Sequence, residues 1–237
     1  MLHESGELCY YFMALQREFL RHRMQVFWHG YTSVRIESSN GGQACTLVTD
    51  PFENEQAIRF PRTMEPDVLV LSHQDRKRFN LSAVQGKPFI ISDPGEYEVK
   101  GVFIVGIQDP AADQGKERPV IYRFTSEGMA LAFLGRINRK LTNAELEALE
   151  NVDILFIPAG GGETLDAGKA SDLISEIEPR VVVPMNYALP GLKQKLGSVD
   201  AFCKHVGANE CERMTRLKIQ RKDLPADSLL VAVLERG

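Results

Sequence analysis

The stretch LVLSHQDRKRFN, Leu69–Asn80, sets the fold and poses a chemical question. Together with Asp67 and Val68 its opening reads as a short strand, DVLVL, that is apolar at nearly every position. A strand of that kind is covered on both faces, which places it between layers of other structure. At Ser72-His73 the apolar run stops and charge crowds in. His73 and Asp75 stand two residues apart at the mouth of the strand, where both could reach one metal ion. Arg76, Lys77 and Arg78 follow at once, and fixed cations oppose a dication. The loop reads as a metal-binding loop, the relic of one, or a loop rebuilt for another task.

Working outward, the chain before this strand is β-rich. QVFWHG and TSVRIES are strands joined at Gly30-Tyr31, SNGGQ (39–43) is a hairpin turn, and ACTLVTD is a returning strand stopped by Pro51. After it come KPFIIS and EYEVKGVFIVGI, the latter kinked at Gly101, then two strands joined at Glu127-Gly128. Strand–helix alternation begins later. Thr142 with Glu145 three residues on is a capping box opening a helix to about Leu149. VDILFIP and RVVVPM are buried strands, Asp166 to Ile177 is an amphipathic helix, and helices are expected after Pro190 and over Val199–Val206. LKIQ and SLLVAVLE close the chain as strands. The pattern predicts one α/β domain over 24–237, two β-sheets packed face to face with helices outside. Residues 1–23 read as an N-terminal extension, a peripheral amphipathic helix, with Met24 a candidate start of the domain proper.

The 237 residues suffice to bury a sizeable core. A formal net charge of -4 argues against general nucleic-acid binding. Cys9, Cys45, Cys203 and Cys211 lie far apart with no CxxC pair, and read as buried or free thiols of a reducing cytoplasm. No apolar run has the length of a membrane span, and the acidic start of the chain does not suit a signal peptide. A cytoplasmic protein is expected.

Several phrases now fall in a telling order: WHGYTSVRIE, TLVTDPF, DVLVLSH, DPGEYEVKGVFIVGI, FLGRINRKLT, VDILFIPAGGGETLDAGKA and PRVVVPMNY. This order resembles the metallo-β-lactamase superfamily, in particular its bacterial Zn-dependent hydrolase branch that includes ascorbate-6-phosphate lactonase-like proteins. The resemblance runs from about Gln25 to the C-terminus and implies an αββα sandwich with two mixed sheets. It also implies two metal ions at the sheet edge, held mainly by an H-x-H-x-D-H signature. Here that signature reads H-Q-D-R-K-R: His73 keeps the first place, Asp75 stands at the second His, Lys77 at the Asp and Arg78 at the last His. Where a His-Asp pair is expected after VFIVGI the nearest residues are Ala112 and Asp113. Arg136 stands at the bridging Asp, Asn186 at the His of the P-M-H-Y phrase, and Gly30-Tyr31-Thr32 at an early G-H-S. Asp50-Pro51-Phe52 matches the family's D-P-F, a support for the metal loop or a strand-ending turn.

Chemically, a catalytic zinc takes about three protein ligands and one open position. His73 and Asp75 supply two, so zinc would require an unforeseen third group. Arginine has no lone pair to give and stays protonated. The same cations offer another role, because metals of this kind hold anionic or carbonyl oxygens and Arg contacts phosphate and carboxylate bidentately. Arg76, Lys77, Arg78, Arg136 and Arg139, with Asn186, are the ligand-binding candidates, and the N–H groups of Gly160–Gly162 could add to an anion cradle opposed by Glu163 and Asp166. The plainer reading makes these charges a solvated rim, paired with Asp75, Asp109 and Asp113. His29 reads as a packed residue, and His205 and Cys203 fall on different helix faces. Glu96 and Glu98 share one face of a hairpin, Thr164 and Asp166 are helix caps, and Ser33 and Ser72 lack a His–acid partner pattern. Three functions stay open: a metal-depleted, non-hydrolytic binder of a small anionic ligand or partner, which is favoured; a hydrolase of a phosphorylated or lactone-like substrate with a one-metal or metal-free site, for which His73 and Asp75 are the catalytic candidates; and a structural unit of a homo-oligomer.

Overall fold

In the computed structural model, residues 23–55, 58–110, 119–207 and 211–236 are described. The N-terminal helix expected before Arg23, Cys9, Ala112 and Asp113 lie outside the described residues. The strand that opened the sequence argument is β4, Val68–Val70, and it is buried throughout. Its side chains divide by the two-residue period of a strand. Val68 and Val70 enter the main core between the sheets. Leu69 and Leu71 point the other way, into a second cluster with Val48, Phe52, Phe60 and Phe79.

β4 sits in a six-stranded sheet of order β13-β1-β2-β3-β4-β5. The strands are β1 Met24–Gly30, β2 Ser33–Asn40, β3 Gln43–Thr49, β5 Phe89–Ile91 and β13 Leu217–Ile219. β13, β1, β2 and β3 pair antiparallel, whereas β3, β4 and β5 run parallel. The facing sheet has eight strands in the order β12-β14-β11-β10-β9-β8-β7-β6. These are β6 Gly95–Val99, β7 Val102–Ile107, β8 Ile121–Ser126, β9 Met129–Phe133, β10 Ile154–Pro158, β11 Val181–Met185, β12 Cys211–Met214 and β14 Leu230–Leu234. It is antiparallel from β6 to β9 and parallel from β9 through β10, β11, β14 and β12. Both sheets are mixed, as the sequence led us to expect, and β9, β10 and β11 are buried at every position.

Three α-helices are described: α1 Asn143–Ala148, α2 Ala167–Ile177 and α3 Val199–Val206. Thr142 and Glu145 form the expected capping box on α1. α2 buries Ala170, Leu173, Ile174 and Ile177, the i, i+3, i+4, i+7 stripe of its amphipathic face. Over the outer face of β3 and β4 the cover is irregular chain, with Phe52, Ile58, Phe60 and Met64 in place of helical side chains.

Three expectations are corrected. No helix follows Pro190; the chain there is turn and loop, with Gly191 at φ +81°. Its two ends are pinned to each other by the Ala188 N–H on the Gly197 carbonyl at 2.9 Å, while Leu189 and Leu192 anchor it to the outer cluster. Cys203 and Cys211 are not separate thiols but a disulfide, with Cα atoms 6.3 Å apart. Gly207, left-handed at φ +64°, ends α3 there and lets the chain return along β12. Cys45 is a buried free thiol. Arg139 does not belong to an anion site: it makes two 2.7 Å bonds to the Glu145 carboxylate, which is 1% exposed. Among the described residues no helix is long and apolar enough to cross a membrane.

Burial pushes the Glu145 carboxyl up, but its bonds from Arg139 and from the Thr142 N–H outweigh burial and hold it below the usual range. A depressed carboxyl contributes stability above its unfolded value that is lost as pH falls through the folded one. Arg139→Ala is therefore expected to destabilise the domain by about 3 kcal/mol near neutral pH, since it strands a buried carboxylate. The deficit should shrink as pH falls below the ordinary value of 4.5, which denaturant titrations at pH 7 and pH 4 would check.

Candidate functional site

The exits of β1, β3, β4, β9 and β11 meet at one end of the sandwich. Asp50, just past β3, ties the first three of them together. Its Oδ1 accepts the Ser72 N–H at 2.7 Å, and its Oδ2 accepts the Ser72 hydroxyl at 2.7 Å and the Thr32 hydroxyl at 2.8 Å. A carboxylate taken from water needs such donors, and Asp50 is only 3% exposed. Burial raises its carboxyl above the ordinary range, while the Ser72 and Thr32 bonds and the Arg136 charge pull back. The loop after β4 is also tied to the other sheet, because the Tyr122 hydroxyl donates to the Leu71 carbonyl and the Val120 N–H to the Ser72 carbonyl, each at 2.9 Å.

Close approach here depends on backbone choice. A Cβ on Gly135, at the turn after β9, would lie 2.2 Å from the Ser72 Cβ, so the FLGRIN phrase requires glycine at that point. Tyr31, Asp50 and Asn186 all hold positive φ, at 47°, 37° and 50°. For residues other than glycine this is uncommon and marks sites where surrounding contacts fix the backbone. Asn186 donates its N–H to the Tyr31 carbonyl at 2.9 Å, which joins the exit of β11 to the turn between β1 and β2.

The loop Ser72–Asn80 is folded by its own polar side chains. The Asp75 N–H donates to His73 Nδ1 at 2.9 Å, and the Asp75 Oδ1 accepts the Lys77 N–H at 3.1 Å. Asp75 thereby caps a 3-10 turn, Arg76–Arg78. Asn80 caps a second turn, Leu81–Ala83, and buried Phe79 between them anchors the loop in the outer cluster. This capping replaces the pairing of Asp75 with a neighbouring arginine that the sequence suggested.

The candidate residues part company in space. Arg78 and Arg136 line one cavity of about 330 Å³, together with Tyr31, Thr32, Glu53, Glu55 and Gln194 among others. Arg76 turns to the Ser92 hydroxyl, 3.2 and 3.3 Å from its guanidinium nitrogens. Lys77 is exposed. Asn186 is 2% exposed, and its side-chain amide donates to the Thr164 hydroxyl at 2.8 Å. Thr164 in turn donates to the Gly161 carbonyl, so it does not cap α2; Asp166 does, through the Lys169 N–H. The Gly161 N–H is taken by the Leu165 carbonyl at 2.9 Å, which removes it from the anion cradle the sequence suggested. Arg136 pairs with Glu163 at 2.6 Å, yet Glu163 is 71% exposed, and such a pair exchanges readily for a ligand.

Sequence reasoning missed Glu53, Glu55 and Gln194 in the cavity wall. Gln194 lay within an expected helix. The two glutamates follow the D-P-F phrase directly, and that proximity was the available signal. The Tyr31 hydroxyl donates to Glu55 Oε1 at 2.7 Å, and burial together with Glu55 raises the phenol's pKa.

For a metal pair the donor set does not fit. His73 Nδ1 already accepts a backbone N–H and Asp75 is a turn cap. Lys77, Arg78 and Arg136 bring cations to the places where the resemblance puts ligands, and among the described residues no group of three or more His, Cys, Asp or Glu could hold a metal ion.

A sequence profile described as the Beta-lactamase superfamily domain matches residues 25–186. A protein of Thermoplasma acidophilum named a UPF0173 metal-dependent hydrolase is 24% identical over 200 residues, covering 69% of this chain and 83% of its own. A UPF0173 protein of Pyrococcus furiosus is 21% identical over 185 residues, covering the same 69% and 83%. Among solved structures, one from Thermotoga maritima, described as a putative Zn-dependent hydrolase of the metallo-β-lactamase superfamily, superposes with a TM-score of 0.73 at 30% identity over 90% of this chain and 98% of its own.

The Asp50 bonds yield a direct prediction. Asp50→Ala leaves three donors of Thr32 and Ser72 without their acceptor, and should lower stability by on the order of 3 kcal/mol. A denaturant midpoint shift worth less than about 1 kcal/mol would show that the exits are held together by packing alone.

Proposed function

The chain belongs to the metallo-β-lactamase superfamily, and from that premise we propose that its cavity binds a small anionic ligand without hydrolysing it. The fold is that of metal-dependent hydrolases, and the chain is hydrolase-like in this sense. The observation that carries the reading is the convergence of Arg78 and Arg136 on one cavity. They come from loops of opposite sheets, and each occupies a position where the resemblance places a metal ligand. Two guanidinium groups can hold a phosphate or carboxylate by charge-assisted bonds without a metal. Thr32, Tyr31 and Gln194 add neutral polar groups to the same wall.

A second reading keeps hydrolysis. The Thermoplasma and Thermotoga proteins carry hydrolase names, and their likeness covers most of this chain. Zinc would then sit on His73 through Nε2, on Asp75 and on one further group, with the Asp75 cap of the 3-10 turn given up. The favoured reading leaves that cap in place and exchanges the exposed Arg136–Glu163 pair for the ligand.

Titration calorimetry with inorganic phosphate separates the two. Binding is expected in the wild type and should weaken about tenfold or more in Arg78→Ala and in Arg136→Ala, the scale of one lost charge-assisted bond. Absence of binding, or turnover of phosphodiester or lactone test substrates that is abolished by His73→Ala, would overturn the proposal.

A further inference from the structure

The cavity is not uniformly positive. Arg78 and Arg136 lie in its wall, but so do Glu53 and Glu55, supplied by the segment that follows β3. Asp50 is not a third available acid, because both its oxygens are occupied by Ser72 and Thr32. Tyr31 lines the same wall as Arg136, and its hydroxyl donates to Glu55 at 2.7 Å. Beside it, Phe52 meets the Tyr31 ring edge-on with centroids 5.2 Å apart. Aromatic faces next to carboxylates favour a cationic group, by attraction to the ring and by ion pairing.

We infer that the ligand of this cavity is a small zwitterion that sets its anionic group on Arg78 and Arg136 and an ammonium group on Glu53, Glu55 and the Tyr31–Phe52 aromatic corner. The inference rests on the anion-binding reading above and refines it. A ligand with negative charge alone would meet the arginines but also face the two carboxylates of the same wall, which repel it. A ligand with both charges meets an opposite charge at each end. A volume of about 330 Å³ suits a compact molecule near the lower bound of small-ligand cavities. Glu55, fixed by the Tyr31 hydroxyl, is already oriented, which lowers the ordering cost of binding.

Two probes that share a phosphate monoester and differ in one ammonium group test this on the full chain: O-phosphoethanolamine and ethyl phosphate, each titrated calorimetrically. Phosphoethanolamine is expected to bind about tenfold or more tightly, the scale of one charge-assisted contact. The Glu53→Gln, Glu55→Gln double variant should erase the difference between the probes. Thermal melting checks that it is folded, and Glu53→Gln alone, at an exposed position, serves if it is not. Equal affinity of the two probes for the wild type would overturn the zwitterion assignment and leave the anion-binding reading standing. Absence of binding by either would overturn both.

Discussion

Asp50 accepts three hydrogen bonds inside the protein, from the Thr32 hydroxyl and from the N–H and hydroxyl of Ser72. These bonds join the turn after β1, the end of β3 and the exit of β4. An ionisable side chain with this little exposure is tolerated only where donors replace its water. Asp50 also holds a left-handed backbone at φ 37°, which the surrounding bonds must enforce. The position of Ser72 then fixes where the next residues begin, and Gly135 packs against Ser72 at a distance that excludes any Cβ. Arg78 on one loop and Arg136 on the other thus come to face the same cavity as a consequence of one buried carboxylate and one glycine.

The proposed anion binding follows from the charges carried on this frame. A dinuclear centre needs ligands with lone pairs, and three of the positions where the resemblance places such ligands carry Lys77, Arg78 and Arg136. The frame that would steady metal ligands remains, because Asp50, Ser72 and the positive-φ residues Tyr31 and Asn186 shape the backbone whatever side chains it presents. Asn186 shows how the fold uses one residue of this frame. It stands where the resemblance places a ligand, yet it is buried and spends its amide on Thr164 and its N–H on Tyr31, acting as a tie between loops. The acidic wall of Glu53 and Glu55 completes a cavity with both signs of charge.

Much of the fold could be read from local pattern. β4 announced itself by an unbroken apolar run, Gly41-Gly42 by the turn it requires, and α1 by the Thr142–Glu145 capping box. The elements that sequence reasoning lost are those decided by distant contacts. PGLKQKLG has helix-forming residues, but Gly197 bonds to Gly160 and Ala188 and holds the segment as a loop. The four residues of β12 carry Glu212 and Arg213 at an edge and show no apolar period, and their pairing with β14 is visible only in three dimensions. Of the site, the run of cations after His73, Arg76 to Arg78, was plain in the sequence. Which arginines would share a cavity was not, because Arg76 and Arg139 differ from Arg78 and Arg136 only in the partners the fold gives them.

The central claim is that fixed cations have taken the place of metal ligands, and zinc stoichiometry tests it most directly. The protein would be purified without affinity-tag metal, loaded with excess zinc, dialysed, and measured by mass spectrometry of the metal. We expect retained zinc well below one ion per chain, unchanged by His73→Ala. One or two tightly held ions per chain that are lost in His73→Ala would contradict the claim and return the chain to the metal-dependent hydrolases it resembles.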